Sequence, residues 1–389
     1  MTVDQVDEKL EYSGEVNGNV AGLRWCSQCL AMSTRPRISF DERGFCNACV
    51  WAEKKRTLDW AARSSHLEAI LDAHRRTDGT FDCVVPVSGG KDGSYVAHTL
   101  KSKWGMNPLS VTIKPPLPTV LGEENLQAFI SSGFPNISIS PDSKAMRALN
   151  KRGFIEMGFP YYGWLVSITA APVEIAARFG IDLLFYGEDG EVEYGGSTET
   201  DKDPEIRIEY MKRVYLEAGY DAVILASDLS PQQMQFFSFP PDEITAKGSL
   251  KRYNWSYFEN WDPYRNYLVA KEFCGLEEAE ETNAGTFTNF SQNDQFLYAL
   301  HTYLMYLKFG FGRANQDASI EIRRGAMDRD QAVELVRIYD GQYPHEHEEL
   351  YLNYFELSPD DFHKILEKWT NKELFDVANR VVTPKFVVT

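Results

Sequence analysis

Nothing in these 389 residues approaches the roughly 18 uninterrupted apolar residues of a membrane span, so a transmembrane protein is not expected. Basic residues are in deficit. Forty Lys and Arg stand against 57 Asp and Glu, a formal net charge of -17. That excess repels phosphate backbones over most of a surface and argues against a general nucleic-acid binder. Residues 1–18 have neither a basic start nor an apolar core, so no secretory signal is expected. Internal repeats and low-complexity linkers are missing too, which excludes a solenoid and a loosely tethered array. The expected location is the cytoplasm, where thiols stay reduced. The six cysteines are therefore not expected to form three disulfides.

What is present is ordinary globular material: 43% hydrophobic, 13% aromatic and 25% charged. The length suits two domains plus a small module. Four cysteines supply that module. Cys26 and Cys29 form one C-x-x-C, and Cys46 and Cys49 form another. Two such knuckles can present four thiolates to one Zn2+, with no open position, which predicts a structural rather than a catalytic metal. Between them, Phe40-Asp41-Glu42-Arg43-Gly44-Phe45 reads as two short strands and a tight turn. Residues 50–77 read as helical, completing an N-terminal unit over 1–80.

From residue 81 the texture changes. Cys83-Val84-Val85-Pro86-Val87 is apolar without alternation, as in a strand buried on both faces. Further strands are expected at 109–113, 136–139, 181–186 and 221–226, with helices between them. Strands alternating with helices predict an α/β fold, a doubly wound parallel sheet, over 81–230. Residues 231–389 are predicted to form a second, mainly helical domain that holds substrate.

The sharpest feature is Ser88-Gly89-Gly90-Lys91-Asp92-Gly93-Ser94, between the first buried strand and a helix. Glycines aim backbone N–H groups inward, serines add donors, and the helix N-terminus favours anions, so the segment suits a phosphate chain. It is not the P-loop pattern, because Lys91 comes too early.

This loop resembles the signature of the PP-loop ATP pyrophosphatases, with Gly93 inserted between Asp92 and Ser94. From Cys26 to about Trp369 the chain resembles one branch, the N-acetyl sugar amidotransferases of bacterial surface-polysaccharide biosynthesis. The four-cysteine module, the loop, Gly187-Glu188, Glu193-Tyr194-Gly195-Gly196, Gly285-Thr286, Thr288-Asn289-Phe290, Lys308 to Arg313, Asp317-Ala318-Ser319 and Tyr339-Asp340-Gly341 carry that resemblance.

The resemblance implies that ATP adenylates the oxygen of a sugar acetamido group, and that ammonia then replaces it to give an acetamidino group. ATP would lie along Val87, Ser88, Gly89, Gly90, Lys91, Asp92, Gly93, Ser94 and Gly187, with adenine near the Ile113 backbone. Lys91 would neutralise developing charge. Asp92 would hold Mg2+ or brace the loop. Glu188, with Asp189 beside it, is a Mg2+ ligand or a base. A nucleotide-sugar or sugar would contact Tyr194, Gly195, Arg313 and a basic set of Lys247, Lys251 and Arg252, with Arg323 and Arg324 as a further set. A separate glutaminase would supply the ammonia. The enzymatic alternative is another PP-loop activity, tRNA thiolation or deazaguanine nitrile synthesis. The non-enzymatic alternative is a scaffold subunit. His345-Glu346-His347-Glu348-Glu349 reads as a solvated helix start rather than a metal motif, and Cys83 as a core residue.

Overall fold

The structure, a computed structural model, describes residues 20–240 and 250–389. The 1–18 segment and Lys247 lie outside the described residues. The chain begins with the cysteine loops, pinned by two isolated bridges, Trp25 with Met32 and Phe40 with Cys46. The two strands expected at 40–45 shrink to that second bridge because Asp41 takes the turn. Its carboxylate accepts from Arg43 N and Phe45 N at 3.0 and 2.9 Å. Helices α1 (Asn47–Lys55) and α2 (Trp60–His74) follow. They are separate because Asp59 caps the second, accepting from Ala62 N at 2.9 Å.

The sheet region runs β1 (Cys83–Pro86), α3 (Lys91–Ser102), β2 (Pro108–Ile113), α4 (Val120–Ser131), β3 (Asn136–Ile139), α5 (Ser143–Met157), α6 (Tyr162–Arg178), β4 (Leu183–Tyr186) and α7 (Gly190–Tyr194). The fifth strand does not form at 221–226. Tyr220–Leu225 is a wide helical turn that buries Tyr220, Val223 and Ile224, a three-and-four spacing rather than an alternation. The fifth strand is instead β5 (Lys251–Asn254). The sheet order is β3-β2-β1-β4-β5, and every pair is parallel.

Alternation along the strands divides the core. Val84 and Leu184 face α5 and α6 on one side, while Cys83, Val85, Leu183 and Phe185 face α2 and α3 on the other. Val84 and Val85 are at most 1% exposed, each side chain worth roughly 1.5–3 kcal/mol of burial.

Beyond the sheet come α8 (Pro263–Cys274), α9 (Leu297–Phe309), α10 (Arg313–Arg324), α11 (Arg329–Tyr339), α12 (Glu348–Phe355), α13 (Pro359–Trp369) and an antiparallel hairpin, β6 (Phe375–Ala378) with β7 (Val381–Pro384). The boundary expected at 230 does not divide the molecule. β5 lies beyond it, and Trp255, Phe258, Trp261 and Cys274 all enter the core on the α3 face. Leu297, Leu300, Leu304 and Leu307 of α9 share the other core with α5 and α6. Sheet and helices thus pack as one body. No helix among the described residues is long and apolar enough to cross a membrane.

Candidate active site

The order of the strands reverses between β1 and β4, and the loops that leave these two strands open a crevice at the C-terminal edge of the sheet. The β1 loop enters it first. Gly89 adopts φ +89°, and a Cβ there would stand 2.5 Å from Leu126 N. At Gly93 a Cβ would stand 2.6 Å from Pro86 O. The loop is therefore pressed between its own strand and α4, a course only glycine allows. Gly90 precedes the first turn of α3, and the unpaired N–H groups of that turn give the crevice partial positive charge.

A cavity of about 250 Å³ fills the crevice, and Ser88 to Gly93 line it. Three residues expected to touch nucleotide do not line it. Ser94 is fully buried one turn inside α3. Val87 is buried beneath the loop, and its carbonyl accepts from Thr112 Oγ1 at 2.5 Å. The Ile113 carbonyl accepts from the Trp164 indole at 3.2 Å, so it is occupied by the core. Gly187 stands behind the loop, where a Cβ would lie 3.4 Å from Asp92 Cβ.

The charged groups are held in place. Asp92 pairs with Lys91 and accepts from Asn266 Nδ2 of α8 at 3.0 Å. Glu188 follows β4 into the same cavity and accepts from Tyr194 OH at 3.1 Å. Burial first, and the charge of Asp92 second, hold its carboxyl above the usual range, while Lys91 pulls it back. Asp189, expected beside it, turns away to cap α7. It accepts from Glu191 N and Val192 N at 3.1 and 3.3 Å and from Tyr215 OH at 2.8 Å.

The helical region supplies the facing wall. Arg313 opens α10, lines the cavity, and pairs with Asp317 at 2.8 Å. Asp317 also accepts from Thr286 and Thr288 at 2.6 and 3.2 Å. Asp340 holds the start of α10 by accepting from Gly312 N and Asn315 N at 2.8 and 3.3 Å. Burial pushes the Asp340 carboxyl up to about 7 against those hydrogen bonds. The motif pieces at 285–290, 310–319 and 339–341 thus converge around one arginine. Asn125, Asn266, Asp294 and Tyr298 are site residues that sequence reading missed. The polar run Ser291-Gln292-Asn293-Asp294 in aromatic surroundings was the available signal for Asp294.

Lys251 and Arg252 are not part of this cavity. They begin β5, at the opposite end of the parallel strands from the loops. Lys251 pairs with Glu205 at 3.0 Å, and Arg252 Nε donates to Ile206 O at 2.9 Å. Gly195 packs on Ala48 of α1. Arg323 and Arg324 line a second cavity of about 280 Å³ with Lys55 and Arg56. His347 packs edge-to-face with Phe296, ring centroids 4.7 Å apart, and joins no metal cluster among the described residues.

The four cysteines form a buried cluster with every Sγ within 4.8 Å of the others. Its surroundings tie the two walls together. Asn315 Nδ2 and Ser319 Oγ of α10 bond the Leu30 backbone at 2.9 and 3.3 Å, and Arg323 reaches Cys29 Sγ at 3.6 Å. On the sheet side, Arg37 grips Glu191 of α7 with two bonds of 2.8 Å, and Trp51 Nε1 and Lys55 Nζ both bind Glu193.

Comparison with known families matches residues 284–386 to the C-terminal domain of WbpG-like LPS biosynthesis proteins. Over those residues the chain is similar to that domain, which supports the resemblance to the surface-polysaccharide branch there. An uncharacterized protein, MJ1599 of Methanocaldococcus jannaschii, is 29% identical over 89 residues, 23% of this chain and 32% of that protein. The match thus spans about a third of the relative's length. Among solved structures, a predicted subunit of tRNA methyltransferase from the same organism aligns with 62% of this chain and 90% of its own, at 18% identity and TM-score 0.28. The U34-tRNA thiolase NcsA from Methanococcus maripaludis, solved with its [4Fe-4S] cluster, aligns over 68% and 79%, at 11% identity and TM-score 0.31.

Proposed function

We propose that this protein is an ATP-dependent amidotransferase that converts the acetamido group of a sugar or nucleotide-sugar into an acetamidino group, for surface-polysaccharide assembly. The observation that carries the reading is the shared cavity: a PP-loop-like phosphate loop on one wall and Arg313 of the WbpG-like domain on the other.

A secondary amide is a poor electrophile. Its oxygen attacks the α-phosphate of ATP, and pyrophosphate leaves toward the N–H groups of residues 89–93 and the Ser88 hydroxyl. Lys91 neutralises charge on the departing group. Arg313, fixed by Asp317, orients the sugar or its anionic substituent. Ammonia then attacks the activated carbon and AMP leaves. Most of the rate enhancement is positioning and charge stabilisation in the crevice.

Two metals fit the side chains. Four buried thiols within 4.8 Å are the donor set of a closed zinc site, which supplies folding energy and no catalytic position. Asp92 and Glu188, whose charges interact across the cavity mouth, are the pair that would hold Mg2+ against the phosphates. Ammonia would come from a separate glutaminase.

The test is a screen of nucleotide-activated N-acetyl sugars with ATP and ammonium by mass spectrometry. Conversion exchanges a carbonyl oxygen for an imino group and releases AMP and pyrophosphate. ADP as the product would overturn the reading.

A further inference from the structure

Asp294 sits where the two walls meet. Its carbonyl accepts from Thr119 N at 3.2 Å, beyond the C-terminal end of β2. It packs so closely on the start of α4 that a Cβ at Gly122 would come within 2.4 Å of its Cα. It lines the cavity with the phosphate loop. Its Oδ2 is buried and has no hydrogen-bond partner among the described residues.

That last fact sets it apart. A buried polar atom without a partner costs roughly 1–3 kcal/mol, and more when charged. The other carboxylates around the cavity are satisfied: Asp92 by Lys91 and Asn266, Glu188 by Tyr194, Asp317 by Arg313 and two threonines. Asp294 forms no ion pair among the described residues. From α9, Tyr298 bonds to its carboxyl. From the turn before α6, Tyr161 faces it, and Arg313 of α10 faces both tyrosines. The start of α4 meets it at Gly122 and at Thr119, neither of which carries a charge. An acceptor kept unpaired beside a reaction cavity is poised for a donor that arrives with the reaction.

We propose that Asp294 is the base that accepts the proton of the attacking nitrogen, an assignment that rests on the reaction proposed above. The ammonia lone pair forms the C–N bond to the O-adenylated carbon, and the C=N electrons move onto the sugar nitrogen. One N–H proton passes to Asp294 Oδ2. The freed lone pair then expels AMP as the C–O bond breaks, leaving an amidinium, and the proton is released to solvent or pyrophosphate. Each of the two carboxyls meets one tyrosine, but Glu188 is less suited, because it stands in the field of Asp92 beside the phosphates, whereas Asp294 keeps its Oδ2 unpartnered among the described residues. Burial raises the Asp294 carboxyl to about 6, with Tyr298 opposing, so it is ionised at neutral pH yet more basic than an exposed aspartate.

The experiment separates the two half-reactions in the full chain. Exchange of labelled pyrophosphate into ATP, driven by a panel of nucleoside-diphosphate N-acetylhexosamines, reads adenylation. Amidine formation at fixed free ammonia reads the whole reaction. For Asp294→Asn, which removes an uncompensated buried charge and keeps the volume, the ratio of amidine formation to exchange falls at least about 100-fold. The acid limb of the wild-type profile near pH 6 disappears. Asp294→Glu recovers part of the ratio. Equal loss of both activities in the Asn variant, or an unchanged acid limb, overturns the assignment and leaves the amidotransferase standing. Wild-type protein without exchange on any member of the panel removes the reaction and the assignment together.

Discussion

The sheet side of the cavity takes six lining residues from one uninterrupted stretch, 88–93, whereas the helical side draws on residues 276, 290–294, 298 and 313. The first wall is made by local rules. A buried strand, two glycines that alone fit their positions and a helix N-terminus build a phosphate cradle within seven residues. The second wall exists only after the fold is complete, because Thr286 and Asp340 reach the helix of Arg313 and Asp317 through hydrogen bonds distant in sequence. A local wall keeps its geometry when distant packing changes, while a composite wall depends on every piece that positions it.

The largest expected effect comes from removing what joins the walls. The cysteine module bonds α7 through Arg37, Trp51 and Lys55, and α10 through Leu30 and Cys29. Wild-type protein should carry about one zinc per chain. Cys46→Ser should lose the metal and solubility together, because a module this small is folded by its metal. Metal analysis with a thermal melt checks this, and zinc-free protein of wild-type stability and activity would break the comparison.

Next in size is a cut confined to the local wall. Asp92→Asn should lower turnover by roughly 100- to 1,000-fold, the scale of one preorganised electrostatic contact, while the melting temperature stays near wild type. A smaller effect is expected across the cavity. Arg313→Lys keeps the charge but gives up the planar fork that Asp317 orients, so KM for the sugar should rise about tenfold or more with kcat less affected. A fall confined to kcat would place Arg313 at the reacting phosphate instead.

The difference between the walls also explains what could be read from sequence. Strand–loop–helix punctuation around residues 83–94 and the two C-x-x-C knuckles are short-range patterns, and both appear where expected. The fifth strand was misplaced because Asp221-Ala222-Val223-Ile224 has strand-like composition while its burial follows a helical spacing. Lys251 and Arg252 looked like ligand residues because a cluster of charge gives no sign of which end of a parallel strand it occupies. Asp294 ends a polar run that does not say where it packs, Tyr298 belongs to no local pattern, and contacts with Gly122 and Tyr161 bring them to the cavity.

Asp340 gives a subtler test of the composite wall. Its folded carboxyl holds a proton more tightly than in the unfolded chain, because burial raises it to about 7. Its contribution to stability is therefore full below the unfolded value, about 4, and is lost as pH rises through about 7. Asp340→Asn should flatten that part of the stability profile. Denaturant midpoints at pH 5 and 8, compared between the two proteins, check this. Parallel profiles would show that the residue does not titrate in that window.

The smallest expected effect is none, and it bears on where the nitrogen comes from. A glutaminase needs a nucleophilic thiol. Four cysteines form the cluster, and Cys83 is wholly buried in β1. Cys274 remains. It closes α8 beside Gly275, which has φ +72°, so it lies at a helix C-terminus rather than on a strained strand-to-helix elbow. It is 1% exposed, and burial raises its thiol to about 11, the reverse of an activated nucleophile. Cys274→Ala should leave ammonium-dependent turnover within about twofold of wild type, with only a modest stability loss from the vacated core volume. The purified chain should be silent with glutamine alone and active with ammonium, because none of its six buried cysteines is placed as a nucleophile. Glutamine-driven turnover by the chain alone, lost in Cys274→Ala, would move the nitrogen source inside this protein and give Cys274 a role that its burial argues against.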